Sequence, residues 1–455
     1  MSLPPAVTVG ALYDNLLQSA LRQFLSRAVL DAEPTPSLSS DGRLAIEPSS
    51  DPFELTIRWF GTRYRLRVPG QWPFTPHEVR FARAIGSVLA ARYRAILNPR
   101  IVAERGDLFG GAIEDRYVGA FLDPQPYAID AREARADRIA SVIELLRVAA
   151  LSSYENRTIS TGVVLLGTAN DPCRPVHPPI ASTPAFTESL TATKSFFRLA
   201  DGVRTVFLGN TQGLLLDIID IDRWSREACY TPPSLAPCPK TFQAHARATQ
   251  QHGHVCVVLS PSREIKVFAE GTEVFRFRAA SWHLLDLKAK YDLWAAAVGD
   301  SALASRIFQT ALDLADAREG ALFVVARDPA TAVPQLVAPA DRLDTPVEPP
   351  RSGSEPPSRR DLLHLLAGRS VTDLDESVFS ALATVDGATV IDRAGRLLAA
   401  GAILRHPPND EFAEGGIIEG ARTTAALAAS RFGPVLKVSE DGAITFFDRE
   451  RIWDI

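Results

Sequence analysis

Apolar and polar residues alternate from Phe53 to Trp59 and again from Tyr64 to Val68, with Gly61-Thr62 between them. A period of two interrupted by a glycine predicts a β-hairpin. Upstream, Leu12 to Ala28 places its apolar residues at helical spacing. Downstream, Thr75-Pro76-His77-Glu78 combines an N-cap, a first-turn proline and a capping-box glutamate, and so predicts a helix running to about Leu97. Arg80, Arg83, Arg92 and Arg94 on that helix read as a solvated face or an anion site, the solvated face being the simpler.

A second pattern starts near Asp130. Ile139, Ile143, Leu146 and Ala150 mark one face of a long helix, and Thr161 to Leu166 reads as a buried strand. A loop with Pro172, Pro175, Pro178 and Pro179 follows. Then come strands at 204–208 and 214–218, a short helix from His245 to Gln251, a strand from Val255 to Leu259, and a closing strand from Glu264 to Phe268.

The same order then recurs. Leu303, Ile307, Ala311 and Leu314 predict a helix, and Gly320 to Val325 a strand. Residues 328–360, rich in proline, serine and charge, read as a mobile loop with little to bury. Apolar segments at 362–366 and 378–382 lead to a strand pair around Gly395. A helix near Thr423, a strand at 435–438 and a hairpin end the chain. The offset between the two passages is roughly 160–180 residues, with Gly213 against Gly395 and Ser260–Ile265 against Ser439–Ile444. Either this is a degenerate tandem duplication, which we favour, or two α/β domains share a common grammar. Under duplication, Arg204 stands where the second copy has Asp386, and the first copy is non-catalytic.

The expected fold class is therefore α/β. A mixed central β-sheet flanked by helices occupies 298–455, a degenerate repeat or sensor-like domain 126–290, and a small α+β unit 1–125. A length of 455 residues suits two or three domains, and 46% apolar with 23% charged residues is an ordinary globular composition. The net charge of −5 gives no overall pull toward nucleic acid or anionic membrane. No apolar run is long enough to span a bilayer, and Met1 to Pro5 lacks signal-peptide features, so a cytoplasmic protein is expected. The chain ends at Ile455, directly after its motifs, so no C-terminal DNA-binding module is expected. Lysine occurs only at positions 194, 240, 266, 288, 290 and 437. Cys173, Cys229, Cys238 and Cys256 form no CxxC pair. A zinc set from Cys229 and Cys238 with His245, His252 or His254 fits no standard spacing, and reduced thiols are the plainer reading.

The chemistry-bearing residues lie in the last seventy or so positions. Asp386, followed by Gly387 and Ala388, puts a carboxylate where backbone can approach a ligand closely, although an Asp-Gly turn is common in any protein. Gly420 opens a helix beside Arg422, Thr423 and Thr424, which suits phosphate but also suits a plain helix start. Ser439 and Glu440 sit in the closing hairpin, within reach of a ribose or metal, or as ordinary hairpin polarity.

In order and spacing these segments resemble the diadenylate cyclase domain, over about Ser301 to Phe447. The matching pieces are Gly320-Ala321-Leu322, Asp386-Gly387-Ala388, Ala399-Ala400-Gly401 and Val438-Ser439-Glu440. The resemblance implies that two ATP molecules are joined into cyclic di-AMP, a second messenger. It implies that Asp386 assists the attacking 3′-hydroxyl with Mg²⁺ or Mn²⁺, with Glu440 as a further metal ligand. It also implies that Gly387, Ala388, Gly401, Gly420, Arg422, Thr423, Thr424, Ser439 and Glu440 line the nucleotide, and that domains pair face to face, hence a homo-oligomer. The chain departs from the family pattern at Ala421-Arg422-Thr423-Thr424, which replaces Thr-Arg-His-Arg, at Val385, where metal-using members often have histidine, and at Asp441, in place of a second glutamate. Three functions follow: an active cyclase under an N-terminal sensor, a non-catalytic sensor of ATP or a cyclic dinucleotide, and a scaffold using the fold for dimerisation.

Overall fold

In the computed structural model the alternating residues around Gly61 form the hairpin their pattern predicts. The structure describes residues 9–34, 44–69, 72–128, 136–154, 157–167, 184–187, 189–190, 196–228, 237–343, 363–405 and 420–455. Strands β1 (Val29–Pro34), β2 (Ala45–Pro48), β3 (Glu54–Trp59) and β4 (Thr62–Arg67) form an antiparallel sheet in the order β1-β4-β3-β2. Phe60 and Gly61, the two turn residues, both have positive φ (46° and 78°), as a two-residue hairpin turn requires. Phe60 tolerates this because its ring stacks on Trp59 at 4.5 Å and meets Tyr93 at 4.6 Å.

The capping box also forms. Thr75 Oγ1 accepts from the Glu78 amide at 3.1 Å, and Glu78 Oε2 accepts from the Thr75 amide at 2.9 Å, which stabilises the start of helix Pro76–Ile96 by about 1 kcal/mol. Two of its arginines are not a solvated face. Arg80 Nε donates to the Phe121 carbonyl at 2.9 Å, with its guanidinium 4.2 Å from that ring's centre. Arg92 Nε donates to the Leu108 carbonyl at 2.6 Å. Arg83 is exposed as expected.

The chain divides into two units, Met1–Ser234 with Ala244–Asp286, and Leu235–Gln243 with Leu287–Ile455. In the first unit, Tyr13, Leu17, Phe81 and Val88 share one core with Ile139, Ile143, Leu146, Val163 and Val257. The segments read as 1–125 and 126–290 thus bury apolar surface together. A buried carboxylate helps join them: Asp115 Oδ1 accepts from Trp282 Nε1 at 2.7 Å and from Arg147 Nη2 at 2.5 Å. Asp137 caps helix Arg138–Leu151 through the Ile139 and Ala140 amides, both at 3.0 Å, and accepts the Tyr127 hydroxyl at 2.6 Å.

After a short ladder of β5 (Ser153–Tyr154) and β6 (Arg157–Thr158), the first unit builds a seven-stranded sheet. Its strands are β7 (Thr161–Leu165), β8 (Thr205–Gly209), β9 (Leu215–Asp220), β10 (Val255–Leu259), β11 (Ile265–Ala269), β12 (Thr272–Arg278) and β13 (Ser281–Leu284), in the order β13-β12-β11-β10-β7-β8-β9. The second unit has β14 (Ala321–Ala326), β15 (Ala388–Asp392), β16 (Leu397–Ala402), β17 (Val435–Val438), β18 (Ile444–Asp448) and β19 (Glu450–Asp454), in the order β16-β15-β14-β17-β18-β19.

Each sheet has one parallel pair, β7 with β8 and β14 with β15, between antiparallel neighbours. The turns agree as well. Asn210 Oδ1 accepts from the Gln212 and Leu214 amides, and Asp392 Oδ1 from the Ala394 and Arg396 amides. Gly213 and Gly395 have φ of 82° and 79°. The Ser260 amide donates to the Glu264 carbonyl, and Ser439 to Ala443, each at 2.8 Å. Phe207 pairs with Val163 as Thr389 pairs with Phe323, so Arg204 occupies the register position of Asp386.

Helices flank the second sheet on both faces. Leu322, Val324 and Val390 pack with Ala332, Val333 and Leu336 of helix Pro329–Leu336 and with Ala426 and Ala429 of helix Ala421–Ala429. On the other face Phe323 meets Phe379 of helix Glu376–Ala383 at 5.8 Å, and Phe308 of helix Ser301–Ala317 meets Trp453 at 6.0 Å.

Several expectations change. The loop expected at 328–360 begins with helix Pro329–Leu336, capped by Asp328 and buried through three side chains; 344–360 lie outside the described residues, as do Pro172 to Pro179, Cys173 and Cys229. The repeat expected to close at Phe268 continues through β12 and β13, and helix Leu287–Val298 buries Trp294 where no element was read. The segment at 378–382 is helix. His245 is not a ligand among the described residues: it is buried, and its Nε2 meets the Gly202 carbonyl at 2.9 Å. No described helix is long and apolar enough to cross a membrane.

Two histidines of the first unit make its stability pH-dependent. His77 lies 3.3 Å from Asp286 and 3.4 Å from Glu270, and these carboxylates raise its pKa to about 9. This stabilisation is complete below 6.5 and is lost as pH rises through about 9. Burial lowers the His245 pKa to about 4, so the folded state keeps it neutral and loses stability as pH falls from 6.5 toward 4. Chemical denaturation across pH should show maximal stability near neutrality. His77→Gln should remove about 1–2 kcal/mol at pH 6.5 and flatten the alkaline limb, the figure being reduced because Glu270 is half exposed. An alkaline limb unchanged by His77→Gln refutes the assignment.

Candidate functional site

Parallel pairing puts the N-terminal ends of β14 and β15 at one edge of the second sheet, and antiparallel β17 brings its C-terminal end there too. Gly320 immediately precedes β14, Asp386 lies two residues before β15, and Ser439 and Glu440 follow β17. Helix Ala421–Ala429 packs its Ala426 and Ala429 on the sheet, which directs its first turn to this edge.

Arg422 draws these segments together. Its Nη1 donates to Glu440 Oε1 at 2.9 Å, and its Nη2 lies 3.9 Å from Asp386 Oδ1. The side chains are 41% exposed for Arg422, 87% for Asp386 and 72% for Glu440. Ion pairs this exposed add little to stability, so their partners can be exchanged for a ligand without loss of the fold.

Glycines make the arrangement possible. A Cβ on Gly320 would lie 2.1 Å from Arg422 Nη1, so only glycine leaves room for the guanidinium. Gly387 has a φ of 116°, and a Cβ there would lie 2.3 Å from the Gly401 carbonyl carbon. The start of β15 and the end of β16 therefore approach closely, which orients Asp386.

The other expected residues take distinct places. Gly420 is the N-cap of its helix; it has no side-chain cap, and its carbonyl accepts the Thr423 amide at 2.8 Å. Thr424 is exposed and Ser439 half-buried in its hairpin, while Ala388 is buried in the core beneath the edge. Thr423 Oγ1 accepts from Lys437 Nζ at 2.8 Å. Lys437 was not among the expected site residues. Its signal is a single lysine inside the apolar strand Val435-Leu436-Lys437-Val438. Arg318 also reaches this edge, donating through Nη1 to the Asp441 carbonyl.

Asp386 and Glu440 are hard oxygen donors. No described cluster of three His, Cys, Asp or Glu residues could hold an ion unaided. A divalent ion held by one or two carboxylates and by a nucleotide's phosphates fits this donor set.

No family model matches the chain, and no curated protein matches it. Among solved structures, the crystal structure of a hypothetical membrane spanning protein from Bacillus cereus is similar at 18% identity, over 37% of this chain and 71% of that one. The TM-score is 0.26.

The two close-approach glycines should respond differently to alanine. Gly387→Ala meets backbone at a left-handed φ and should cost about 2–3 kcal/mol in chemical denaturation. Gly320→Ala meets the end of a flexible side chain, so it should cost under about 1 kcal/mol while displacing Arg422 from Glu440. Equal losses for the two variants would contradict the geometry.

Proposed function

We propose that the second unit binds ATP at this edge and condenses two ATP molecules into cyclic di-AMP, releasing two pyrophosphates. The observation that carries the reading is the convergence on Arg422 of Asp386 and Glu440, which are far apart in sequence. Asp386 and Glu440 belong to two of the motifs by which the chain resembles diadenylate cyclase domains, and Arg422 to the helix start at which it departs from the family pattern but keeps its arginine.

In the proposed reaction Asp386 accepts the proton of a ribose 3′-hydroxyl as its oxygen attacks the α-phosphorus of the second nucleotide. The α–β anhydride bond breaks and pyrophosphate leaves; the same exchange in the other direction closes the ring. Arg422, the amides at the start of helix Ala421–Ala429 and the hydroxyls of Thr423 and Thr424 hold phosphate oxygens. Bound Mg²⁺ or Mn²⁺ supplies charge neutralisation, with Asp386 and Glu440 as its protein ligands. Because each ATP attacks the other, two such units must face each other, so the protein works as a homo-oligomer through this unit. The first unit serves as its regulatory region, in the cytoplasm, with no membrane or DNA partner required.

A second reading, a sensor that binds ATP or a cyclic dinucleotide without turnover, has its own support. Thr423 and Thr424 stand where the family pattern has His-Arg, and the loss of charge-assisted contacts to a transferring phosphate slows chemistry by orders of magnitude.

Purified protein incubated with ATP and Mn²⁺ or Mg²⁺ should yield cyclic di-AMP by mass-detected chromatography, and Asp386→Asn should lower the yield at least about 100-fold. ATP-dependent thermal stabilisation without product would select the sensor reading. Absence of both product and stabilisation would refute the nucleotide site.

A further inference from the structure

We infer that Lys437 is a phosphate-binding residue of this site, supplying a cation that the helix-start motif does not. The inference rests on the nucleotide reading above and deepens it. Lys437 lies on β17, a strand with neighbours on both sides, and its register partner is Leu322 on β14. Leu322 belongs to the core on which Ala426 and Ala429 pack, so Lys437 leaves the sheet on the face covered by helix Ala421–Ala429. Lysine is costly at such a position on fold grounds alone.

The first unit shows what the fold itself takes there. Val438 pairs with Ala321 as Leu259 pairs with Thr161, which places Val258 at the position of Lys437. Val258 is completely buried. That unit also has Arg204 in place of Asp386 and Pro261 in place of Glu440. At this one position lysine stands in the unit that has the two carboxylates and valine in the unit that lacks them, where the buried lysine is instead Lys266, one strand over and paired with Val258.

The ammonium is aimed at the ligand edge. Its Nζ donates to Thr423 Oγ1 at 2.8 Å, one residue from Arg422 and three from Gly420. Arg422, Lys437 and Arg318 together offset the charges of Asp386, Glu440 and Asp441 at this edge. Without Lys437 these groups would be net negative, which disfavours a triphosphate. A lysine ammonium is a point charge that suits phosphate oxygens without demanding planar geometry. The ligand class is thus a polyphosphate chain carried by a nucleoside.

The test is calorimetric titration of the full chain, in Mg²⁺, with ATP, inorganic tripolyphosphate and adenosine. Lys437→Met should weaken ATP and tripolyphosphate about 10- to 100-fold, leave adenosine unchanged, and make ATP binding less salt-dependent. Lys437→Arg should restore ATP binding to within a few-fold of wild type. Circular dichroism melting checks folding, and Lys437→Gln, which keeps a donor for Thr423, replaces Lys437→Met if the latter fails to fold. Wild-type ATP affinity in the folded neutral variant overturns the role of Lys437 and leaves the nucleotide reading standing. Absence of ATP and tripolyphosphate binding by the wild-type chain overturns both.

Discussion

Two parallel strands cannot be joined by a tight turn, and that constraint organises the second unit. Between β14 and β15 the chain must travel back along the sheet, and the described part of that connection includes helices Pro329–Leu336 and Glu376–Ala383. The return leaves Gly320 and Asp386 at neighbouring strand starts. Antiparallel β17 then delivers Glu440 to the same edge, and helix Ala421–Ala429 delivers Arg422. Residues spread over 120 positions become neighbours because the strand order and register bring these strand ends to one edge.

The first unit obeys the same constraint with different contents. Its parallel pair, turns and strand order match, yet the loop before β8 is braced internally. Asp201 Oδ1 accepts the amides of Val203, Arg204 and Thr205, which lowers its pKa even against partial burial, and buried His245 holds Gly202. One topology thus supports an exposed, charged edge in one unit and a self-satisfied polar loop in the other. The difference lies in a few side chains at strand ends, where the sheet does not dictate identity.

Much of the secondary structure was legible because local rules decided it. The hairpin at Gly61, the capping box at Thr75 and the turns at Gly213 and Gly395 each depend on residues close in sequence. Helix Pro329–Leu336 was hidden by its two prolines and low polarity contrast, and its formation depends on burial against Val324 and Val390. Residues 1–125 and 126–290 read as separate because each shows its own helix and strand pattern, the second starting near Asp130. Their shared core depends on contacts such as Phe81 with Phe275, at 5.0 Å, which no local pattern encodes.

For the candidate site, the sequence by itself determined the kinds of groups available: a carboxylate beside glycine at Asp386, a glycine-opened helix with Arg422, and a polar hairpin at Ser439-Glu440. Only the tertiary structure decided which of them meet. It engaged Arg422 with both carboxylates, placed Ala388 in the core, made Gly320 the space for the guanidinium, and brought Lys437 to Thr423. The physical reason is one of range. Turn and capping energies act over a few residues and are written in local sequence, whereas ion pairing and close approach act between strand ends that only the sheet's register makes adjacent.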